Sequence, residues 1–323
     1  MAEHVIEHDV QTDQGNAWDG GKEPFKASYG KLMMWYFLLS DAFTFAGFLI
    51  AYGTLRFSSQ TWPVPDFVFS TAPFGIHDAP LIFVTIMSFL LIISSVTMVR
   101  AVQEGHRENK RGVVFWMLLT VLGGAGFLGC QAWEWTNLIG TEHMTVTRNP
   151  FGTHTESGVY LGYDGKPGEE TFEAGGSYLI HKADLDASLS DEEVVAGFAS
   201  HGEDDHAGHA VVNEYGKDYG FMYVDDDGFI MRKFVVEEGE SAGAVQMEAF
   251  GPKAFGGLFF FITGFHGFHV LSGVAFLLII LINAASGVYV ERKNGYEMVE
   301  KIGLYWHFVD LVWVFVFLVF YLL

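Results

Sequence analysis

The stretch that decides the fold is Phe259-Phe260-Phe261-Ile262-Thr263-Gly264-Phe265-His266-Gly267-Phe268-His269-Val270-Leu271-Ser272-Gly273. Most of its side chains are apolar enough to lie in a bilayer, yet it contains two histidines three residues apart. On a helix, residues i and i+3 lie on one face, so His266 and His269 are predicted to point the same way. Ionisable side chains inside a membrane span are costly and usually face another part of the protein or a hydrated path. The stretch therefore predicts a membrane helix whose histidine face serves either packing or chemistry.

The composition of the whole chain is that of a membrane protein with one acidic appendage. Of its 323 residues, 50% are hydrophobic and 31 are phenylalanine, a combination that is rare in soluble domains of this size. The formal net charge of −21 is concentrated in residues 141–251, where 23 acidic and 6 basic side chains leave a net charge of −17. The single cysteine, Cys130, excludes an intrachain disulfide and a cysteine-based metal site.

Five apolar segments are each long enough to cross a bilayer about 30 Å thick at roughly 20 residues per crossing. They cover approximately residues 32–55, 80–101, 113–138, 254–285 and 302–323. The predicted fold class is an all-α transmembrane helix bundle, with spans one to three in residues 32–140 and spans four and five in residues 252–323. In the third span, the glycines from Gly123 to Gly129 predict a face that lets another helix approach closely. Residues 1–31 are polar, lack the apolar core of a signal peptide, and are interpreted as a disordered cytoplasmic tail.

The basic residues near the ends of the spans predict their orientation. Ten of them precede span one or lie in the loops between spans two and three and between spans four and five: Lys22, Lys26, Lys31, Arg100, Arg107, Lys110, Arg111, Arg292, Lys293 and Lys301. The loop between spans one and two contains only Arg56. This excess places the N-terminus in the cytoplasm, and the acidic insert and the C-terminus outside it. In a bacterial inner membrane, the insert is then periplasmic.

The acidic insert, residues 141–251, shows turn signals and short β-prone runs, and it is predicted to form a small β-rich lobe. The runs Tyr219–Val224 and Phe229–Val236, separated by Asp225-Asp226-Asp227-Gly228, predict a hairpin closed by an Asp-Gly turn. Further strands are expected at residues 160–163 and 177–181. The sequence Ser190-Asp191-Glu192-Glu193 predicts the start of a short capped helix.

The spans contain a small set of polar side chains that could carry chemistry. They are Asp41, Gln131, Glu134, Thr263, His266, His269, His307 and Asp310. His307 and Asp310 again have i, i+3 spacing, which gives the last span one polar stripe. Carboxyl groups that face imidazoles across a bundle could be hydrogen-bonded pairs that hold the helix register, or they could relay or store protons. We expect one polar seam in which the structural role comes first.

Two groups of histidines could in principle bind a metal, but neither is favoured as a metal site. His266 or His269 together with His307 could ligate a haem or copper, although only His307 offers a second helix. The segment from Ser200 to His209 is rich in His and Asp, but nothing around it fixes a coordination geometry, so it is interpreted as a solvated acidic loop. Neither a catalytic residue nor a metal ligand is predicted in this chain.

Several segments resemble subunit III of haem–copper oxygen reductases, the cytochrome c and quinol oxidases. The run Tyr305-Trp306-His307-Phe308-Val309-Asp310-Leu311-Val312-Trp313 resembles that family's YWHFVD motif, and the opening stretch resembles its TGFHG motif. The first span, Met34–Asp41, resembles the segment where the family has a buried acidic residue. The third span resembles a weaker family pattern at Thr120, Gln131, Glu134 and Trp135.

The resemblance implies an accessory subunit without a redox cofactor of its own, packed against oxidase subunits I and II, which carry the haems and copper. In that family the subunit stabilises the catalytic subunit, supports proton uptake near the cytoplasmic entrance, and is associated with lipids and an oxygen path. Asp41 would occupy the buried acidic position. The other motif positions are Gln131, Glu134, His266, His269, His307 and Asp310. We therefore expect a subunit of a terminal cytochrome c oxidase that reduces oxygen to water and pumps protons.

Three departures from the family pattern shape the remaining expectations. Position 41 is Asp where many members have Glu, five spans are present where seven are usual, and the insert has no counterpart in the compact form. The insert is expected first to dock a neighbouring respiratory complex. The alternatives are that it attracts a basic cytochrome c or that it is only a solubilising acidic lobe; no nucleic-acid partner is expected. The competing hypotheses are a quinol oxidase subunit, a b-haem electron carrier and a transporter, the last disfavoured because no inverted repeat is visible.

Overall fold

The computed structural model describes residues 28–73, 79–200, 210–239, 241–291 and 295–323, with the side chain of Ser200 left out. These residues form a bundle of long helices and a β-rich lobe that is inserted between the third and fourth of the long helices. The helices are α1 (Tyr29–Ser58), α2 (Pro65–Val68), α3 (Ile82–His106), α4 (Lys110–Gly140), α5 (Asp191–Ser200), α6 (Lys253–Ser286), α7 (Val288–Glu291) and α8 (Glu297–Phe317). A π-helical segment, Leu318–Leu322, continues α8.

Five of the described helices are long and apolar enough to cross a membrane: α1, α3, α4, α6, and α8 with its π-helical continuation. Local signals mark several of their ends. The Asn109 side chain accepts a hydrogen bond from the Gly112 amide at 3.3 Å and caps α4. Gly287, with φ of 88°, ends α6 in the left-handed conformation that glycine adopts most readily. The predicted fold class, an all-α bundle of five spans with a β-rich insert, is confirmed.

The helix α8 packs against α1, α3 and α6. Its Trp306 is fully buried and fills a gap left by two glycines on neighbouring helices. A Cβ atom added to Gly124 of α4 would lie 2.5 Å from the Trp306 ring, and one added to Gly273 of α6 would lie 3.0 Å from it. The predicted glycine face of α4 is therefore used for close helix packing at Gly124. Gly129, in contrast, has nothing within 4 Å of its Cβ position.

The lobe is built around a six-stranded antiparallel sheet with the order β3-β2-β9-β8-β7, and β10 pairs with β9. Its strands are β2 (Ser157–Leu161), β3 (Pro167–Phe172), β7 (Lys217–Asp218), β8 (Met222–Val224), β9 (Ile230–Glu238) and β10 (Val245–Met247). Two smaller pairs join β1 (Phe151–Thr153) with β4 (Ser177–Leu179) and β5 (Asp184–Leu185) with β6 (Val211–Val212). The predicted capped helix is present as α5. Its cap is formed by the Glu193 carboxylate, which accepts a hydrogen bond from the Ser190 amide at 2.8 Å.

The predicted hairpin with an Asp-Gly turn is present between β8 and β9, but its first strand is shorter than expected. The run Tyr219–Val224 is not one strand, since a turn at Gly220, with φ of 91°, separates β7 from β8. The Asp218 carboxylate accepts a hydrogen bond from the Gly220 amide at 2.8 Å and holds that turn. The predicted solvated loop at 201–209 and most of the amino-terminal tail lie outside the described residues.

Candidate functional site

Asp41 of α1 and His269 of α6 form the one carboxyl–imidazole pair that the described residues place between membrane helices. The Asp41 Oδ2 and His269 Nε2 atoms are 3.2 Å apart, an ion-pair distance without the direction of a hydrogen bond. His269 Nδ1 lies 2.8 Å from the Phe265 carbonyl oxygen, so Nδ1 carries a proton and Nε2 is the atom that faces the carboxyl group. Tyr305 of α8 donates a hydrogen bond to the His269 carbonyl at 3.1 Å, and its hydroxyl also contacts Ser272.

His266 has different partners from His269, although Phe45 of α1 contacts both rings. The imidazole of His266 is fully buried, and its Nε2–H donates to the Val309 carbonyl of α8 at 3.0 Å. The rings of Phe127 and Trp313 pack against it. Its Nδ1 atom has no hydrogen-bond partner among the described residues. The contacts made by His266 therefore join α4, α6 and α8.

The polar stripe of α8 faces a row of serines on α3. His307 Nδ1 lies 2.6 Å from the Ser95 hydroxyl, and the Asp310 carboxyl lies beside the same hydroxyl. The two tryptophans of the α8 motif use this row as well, since the indole N–H groups of Trp306 and Trp313 donate to Ser94 and Ser88 at 3.1 and 2.9 Å, respectively. These contacts hold α8 in register along α3.

The two polar residues of α4 lie nearer to the lobe. Glu134 is buried and accepts hydrogen bonds from the Tyr321 hydroxyl at 3.2 and 3.1 Å, one to each carboxyl oxygen. Gln131 is buried as well, and neither atom of its amide has a hydrogen-bond partner among the described residues. Thr263 of α6 is fully buried and donates to the Phe259 carbonyl one turn earlier.

The candidate residues thus form separate contacts within the bundle. The structure brings together Asp41 with His269, His307 and Asp310 with Ser95, His266 with a backbone carbonyl, and Glu134 with Tyr321. No hydrogen bond between these groups joins them into the expected single seam in the described part of the chain. The partners that the sequence did not single out are hydroxyls: Ser88, Ser94, Ser95, Ser272, Tyr305 and Tyr321. Hydroxyls inside apolar spans are a weak signal, because they also bond their own helix backbone.

A second buried polar network lies in the lobe, close to the chain segment that enters α6. His154 donates from Nε2 to the Tyr160 hydroxyl at 2.9 Å, and that hydroxyl donates to the Glu248 carboxylate at 2.7 Å. The Arg232 amide donates to the other oxygen of Glu248 at 3.0 Å, while its guanidinium lies 3.7 Å above the Tyr160 ring and pairs with Glu170. The network therefore ties β2, β9 and the segment after β10 together.

Burial shifts the pKa values of this lobe network in opposite directions. Burial raises the pKa of Glu248 to about 7, although the hydrogen bonds from Arg232 and Tyr160 act the other way. Burial, with a smaller contribution from Arg232, lowers the pKa of His154 to about 4. Burial and the neighbouring Glu248 raise the pKa of Tyr160, which keeps its hydroxyl a donor. At neutral pH the imidazole of His154 is therefore uncharged.

No group of three or more His, Cys, Asp or Glu side chains in the described ranges is arranged to hold a metal ion. The three candidate imidazoles have separate neighbours: the Val309 carbonyl for His266, the Phe265 carbonyl and Asp41 for His269, and Ser95 for His307. Their contacts therefore do not converge on one shared ligand position.

Comparison with known proteins gives matches that agree with the resemblance of the motifs. The family model described as cytochrome c oxidase subunit III matches residues 245–323, which include α6 and α8. Cytochrome c oxidase subunit 3 of Artemia franciscana is 43% identical over 82 residues, covering 24% of this chain and 31% of the relative. A probable cytochrome c oxidase subunit 3 of Rickettsia bellii is 44% identical over 59 residues, covering 18% of this chain and 21% of the relative.

A longer match is to a relative named as a quinol oxidase subunit and not as a cytochrome c oxidase subunit. Quinol oxidase subunit 3 of Bacillus subtilis is 30% identical over 140 residues, covering 40% of this chain and 63% of the relative. The chain spans less than two thirds of the length of each of these relatives. The matches and the five helices together show that this chain is similar to subunit III of haem–copper oxidases.

Proposed function

We propose that this chain is an accessory subunit of a terminal cytochrome c oxidase in a bacterial inner membrane. It would pack against oxidase subunits I and II, which hold the haems and copper, and would support oxygen reduction and proton pumping without binding a redox cofactor itself. The similarity to subunit III supports the accessory role. The proposed orientation, with the N-terminus in the cytoplasm, rests on the basic residues near Lys31, Arg107 and Lys301.

The observation that supports a role in proton handling is the contact between Asp41 and His269. Because His269 Nδ1–H is directed at a backbone carbonyl, the 3.2 Å contact between Nε2 and Oδ2 would set two lone pairs against each other unless one atom carried a proton. One of the two atoms is therefore proposed to carry a proton. The Asp41 side chain is partly exposed on α1, whereas the Oδ2 atom that faces His269 is buried. Such a pair could take up a proton and pass it to the catalytic subunit.

Asp41→Ala in the purified oxidase is expected to leave assembly largely intact while lowering turnover or shortening the lifetime of the enzyme. The expected loss of turnover is below about a hundredfold, because Asp41 would supply protons without touching the reacting oxygen. The loss should grow across roughly pH 6 to 8, where histidine-linked proton transfer changes and free protons become scarcer. Oxygen consumption and inactivation rate, both followed across this range, are the measurements.

Ser40→Ala provides the matched control, since Ser40 is an exposed neighbour on the same helix. Asp41→Glu keeps the acid and should retain most of the activity. If Asp41→Ala matches the parent in turnover and durability at every pH, Asp41 has no role in proton supply. Loss of assembly with normal turnover per assembled complex would indicate a purely structural role.

A quinol oxidase subunit is the second candidate, favoured by the longer match to the Bacillus subtilis protein and by Asp at position 41. A copper signal in the accompanying subunit II, with oxidation of reduced cytochrome c, would support the first candidate. Quinol oxidation without that copper signal would support the second. The b-haem carrier is less favoured because the histidine contacts do not converge, and a Soret band from the isolated chain would revive it.

The lobe carries a surplus of negative charge that is open to a partner. Each of the six basic residues of the insert has an interaction within the protein: Arg148, Lys166, Lys217, Arg232 and Lys233 form ion pairs, and Lys182 lies over the Phe229 ring. Four exposed acids near β3 and the end of β9 have no ion pair among the described residues: Glu169, Glu173, Glu237 and Glu238. The lobe is accordingly proposed to dock a neighbouring respiratory complex or a basic cytochrome c.

Replacing these four glutamates with Gln is expected to weaken partner binding at low salt and to leave it nearly unchanged at high salt. Screening over about 10 Å at 0.1 M salt removes most of the attraction between exposed charges. Partner affinity at two ionic strengths, with cytochrome c and with co-purifying complexes as separate probes, is the measurement. Deletion of residues 149–248 with unchanged assembly and cytochrome c turnover would contradict both docking roles.

A further inference from the structure

A small cavity lies at the lobe end of the bundle, between α3, α4 and the segment that includes α2. Glu134, Asn137 and Thr71 are polar residues in its lining. Glu134 is buried, whereas Thr71 and Asn137 are half-buried and lie nearer to the surface. The rest of the lining is largely apolar, and it includes Phe69 and Val84. The cavity therefore connects a buried carboxyl with more exposed polar groups at one end of the membrane bundle.

The surroundings of Glu134 contain one donor and no positive charge in the described part of the chain. Tyr321, which is fully buried, shares its hydroxyl between the two carboxyl oxygens. The wider turn of the π-helical segment carries Tyr321, and π-helical turns are frequent at functional sites. No Lys, Arg or His side chain forms an ion pair with Glu134 among the described residues. One shared hydroxyl offsets little of the desolvation free energy of a buried carboxylate. The protonated, uncharged carboxyl is therefore the more stable form at this position.

The polar groups continue from the cavity towards the lobe. Asn137 lies one turn after Glu134 on α4 and donates to the Thr71 hydroxyl at 2.9 Å. Glu142 follows the end of α4, its amide donates to the Asn137 carbonyl at 3.2 Å, and burial raises the pKa of its carboxyl. The titratable groups that interact with Glu134 are thus Tyr321 and Cys130, the latter one turn earlier on α4. The residues of α2 and α3 that line the cavity are apolar.

We propose that Glu134 is a proton-exchange site, in which the carboxyl holds a proton between the helices and exchanges it with water on the lobe side of the membrane. Water in the cavity would connect Glu134 to the solvent past Asn137 and Thr71. This site is separate from the pair formed by Asp41 and His269, and it does not depend on that pair. A carboxyl group that is permanently sealed and serves only as a hydrogen-bond acceptor for Tyr321 is the alternative.

Infrared spectra of the full chain, in the membrane assembly in which it is isolated, test the proposal. The parent-minus-Glu134→Gln difference should contain a carboxylic acid C=O band at neutral pH, and the band should shift on transfer to D2O. Gln can still accept a hydrogen bond from Tyr321, so the variant is expected to fold. The matched control Glu142→Gln identifies any band of the neighbouring acid. Thr71→Val should slow the D2O shift by about tenfold, because it removes a polar group from the cavity.

Tyr321→Phe provides a second way to assign the C=O band to Glu134, without a change at Glu134 itself. It removes the shared hydroxyl and should move the same band without abolishing it. If no acid band is lost in Glu134→Gln or moved in Tyr321→Phe, the carboxyl is ionised and the proposal is overturned. A band that does not shift in D2O would show that the site is sealed and overturn it equally. Neither outcome depends on oxidase turnover, so a failure here is distinct from a failure of the role proposed for Asp41.

Discussion

Gly124→Val is expected to destabilise the helix bundle by about 3 kcal/mol, which is at the upper end for overpacking a core. The new Cβ would lie 2.5 Å from the Trp306 ring and 2.7 Å from Val274. Trp306 cannot move away easily, because Gly273 closes its other side and its indole N–H donates to Ser94. Thermal unfolding of the chain in detergent, followed by tryptophan fluorescence, measures the effect.

Gly129→Val is the matched control on the same helix. Gly129 is exposed and has nothing within 4 Å of its Cβ position, so the two variants share the change in helix propensity and differ in steric contact. A change within about 0.5 kcal/mol is expected for the control. Combining Gly124→Val with Trp306→Phe should restore part of the lost stability by making room. Equal destabilisation by the two single valine variants would contradict the close packing of Trp306 on Gly124.

In the Glu248→Gln variant, the free energy of unfolding of the lobe is expected to fall steeply as the pH is lowered from 7 to 4. In the parent it should change little over the same range. The pKa of Glu248 rises from 4.5 to about 7 in the folded lobe, so its contribution to stability is full below pH 4.5 and is lost as the pH rises through 7. The pKa of His154 falls from 6.5 to about 4, so its contribution is present above pH 6.5 and is lost as the pH falls through 4.

In the parent these two contributions oppose each other between pH 7 and pH 4. Each pKa unit corresponds to about 1.4 kcal/mol, so each group contributes on the order of 3 kcal/mol over this range. Glu248→Gln removes one of them and should expose the full loss caused by His154. His154→Phe, which keeps a ring to stack on Phe172, should show the opposite slope.

Hydrogen exchange of the β2 and β9 amides, corrected for intrinsic rates at each pH, measures this stability locally. The comparison needs the two variants and the parent in the same buffer series. Parallel pH profiles for the parent and Glu248→Gln would show that Glu248 does not hold a shifted pKa in the lobe.

Much of the fold could be predicted from the sequence, because the deciding signals are local. Membrane helices are specified by the length and hydropathy of continuous segments, and all five were predicted. The β8–β9 turn and the cap of α5 follow from Asp-Gly and Ser-x-x-Glu patterns. The break at Gly220 was missed, because a strand-like run of Tyr, Phe, Met and Val conceals a single residue with a positive φ.

The sequence also singled out Asp41, Glu134 and the histidines, because polar residues are conspicuous in apolar spans. It could not assign their partners. Spacing along one helix gives the face of a side chain but not the neighbour that covers this face. The Asp41–His269 contact, the row of serines under α8 and the Glu134–Tyr321 hydrogen bonds each join residues that are far apart in the chain.

By itself, the sequence determined that this chain is a five-span membrane protein with an acidic lobe and two histidine-containing helices. These properties depend on composition and periodicity, which are read along a single segment. The tertiary structure alone decided that the expected polar seam consists of separate contacts. The reason is physical: each helix packs where its large and small residues fit, as Trp306 does between Gly124 and Gly273, and this packing determines the register that brings each polar side chain to its partner.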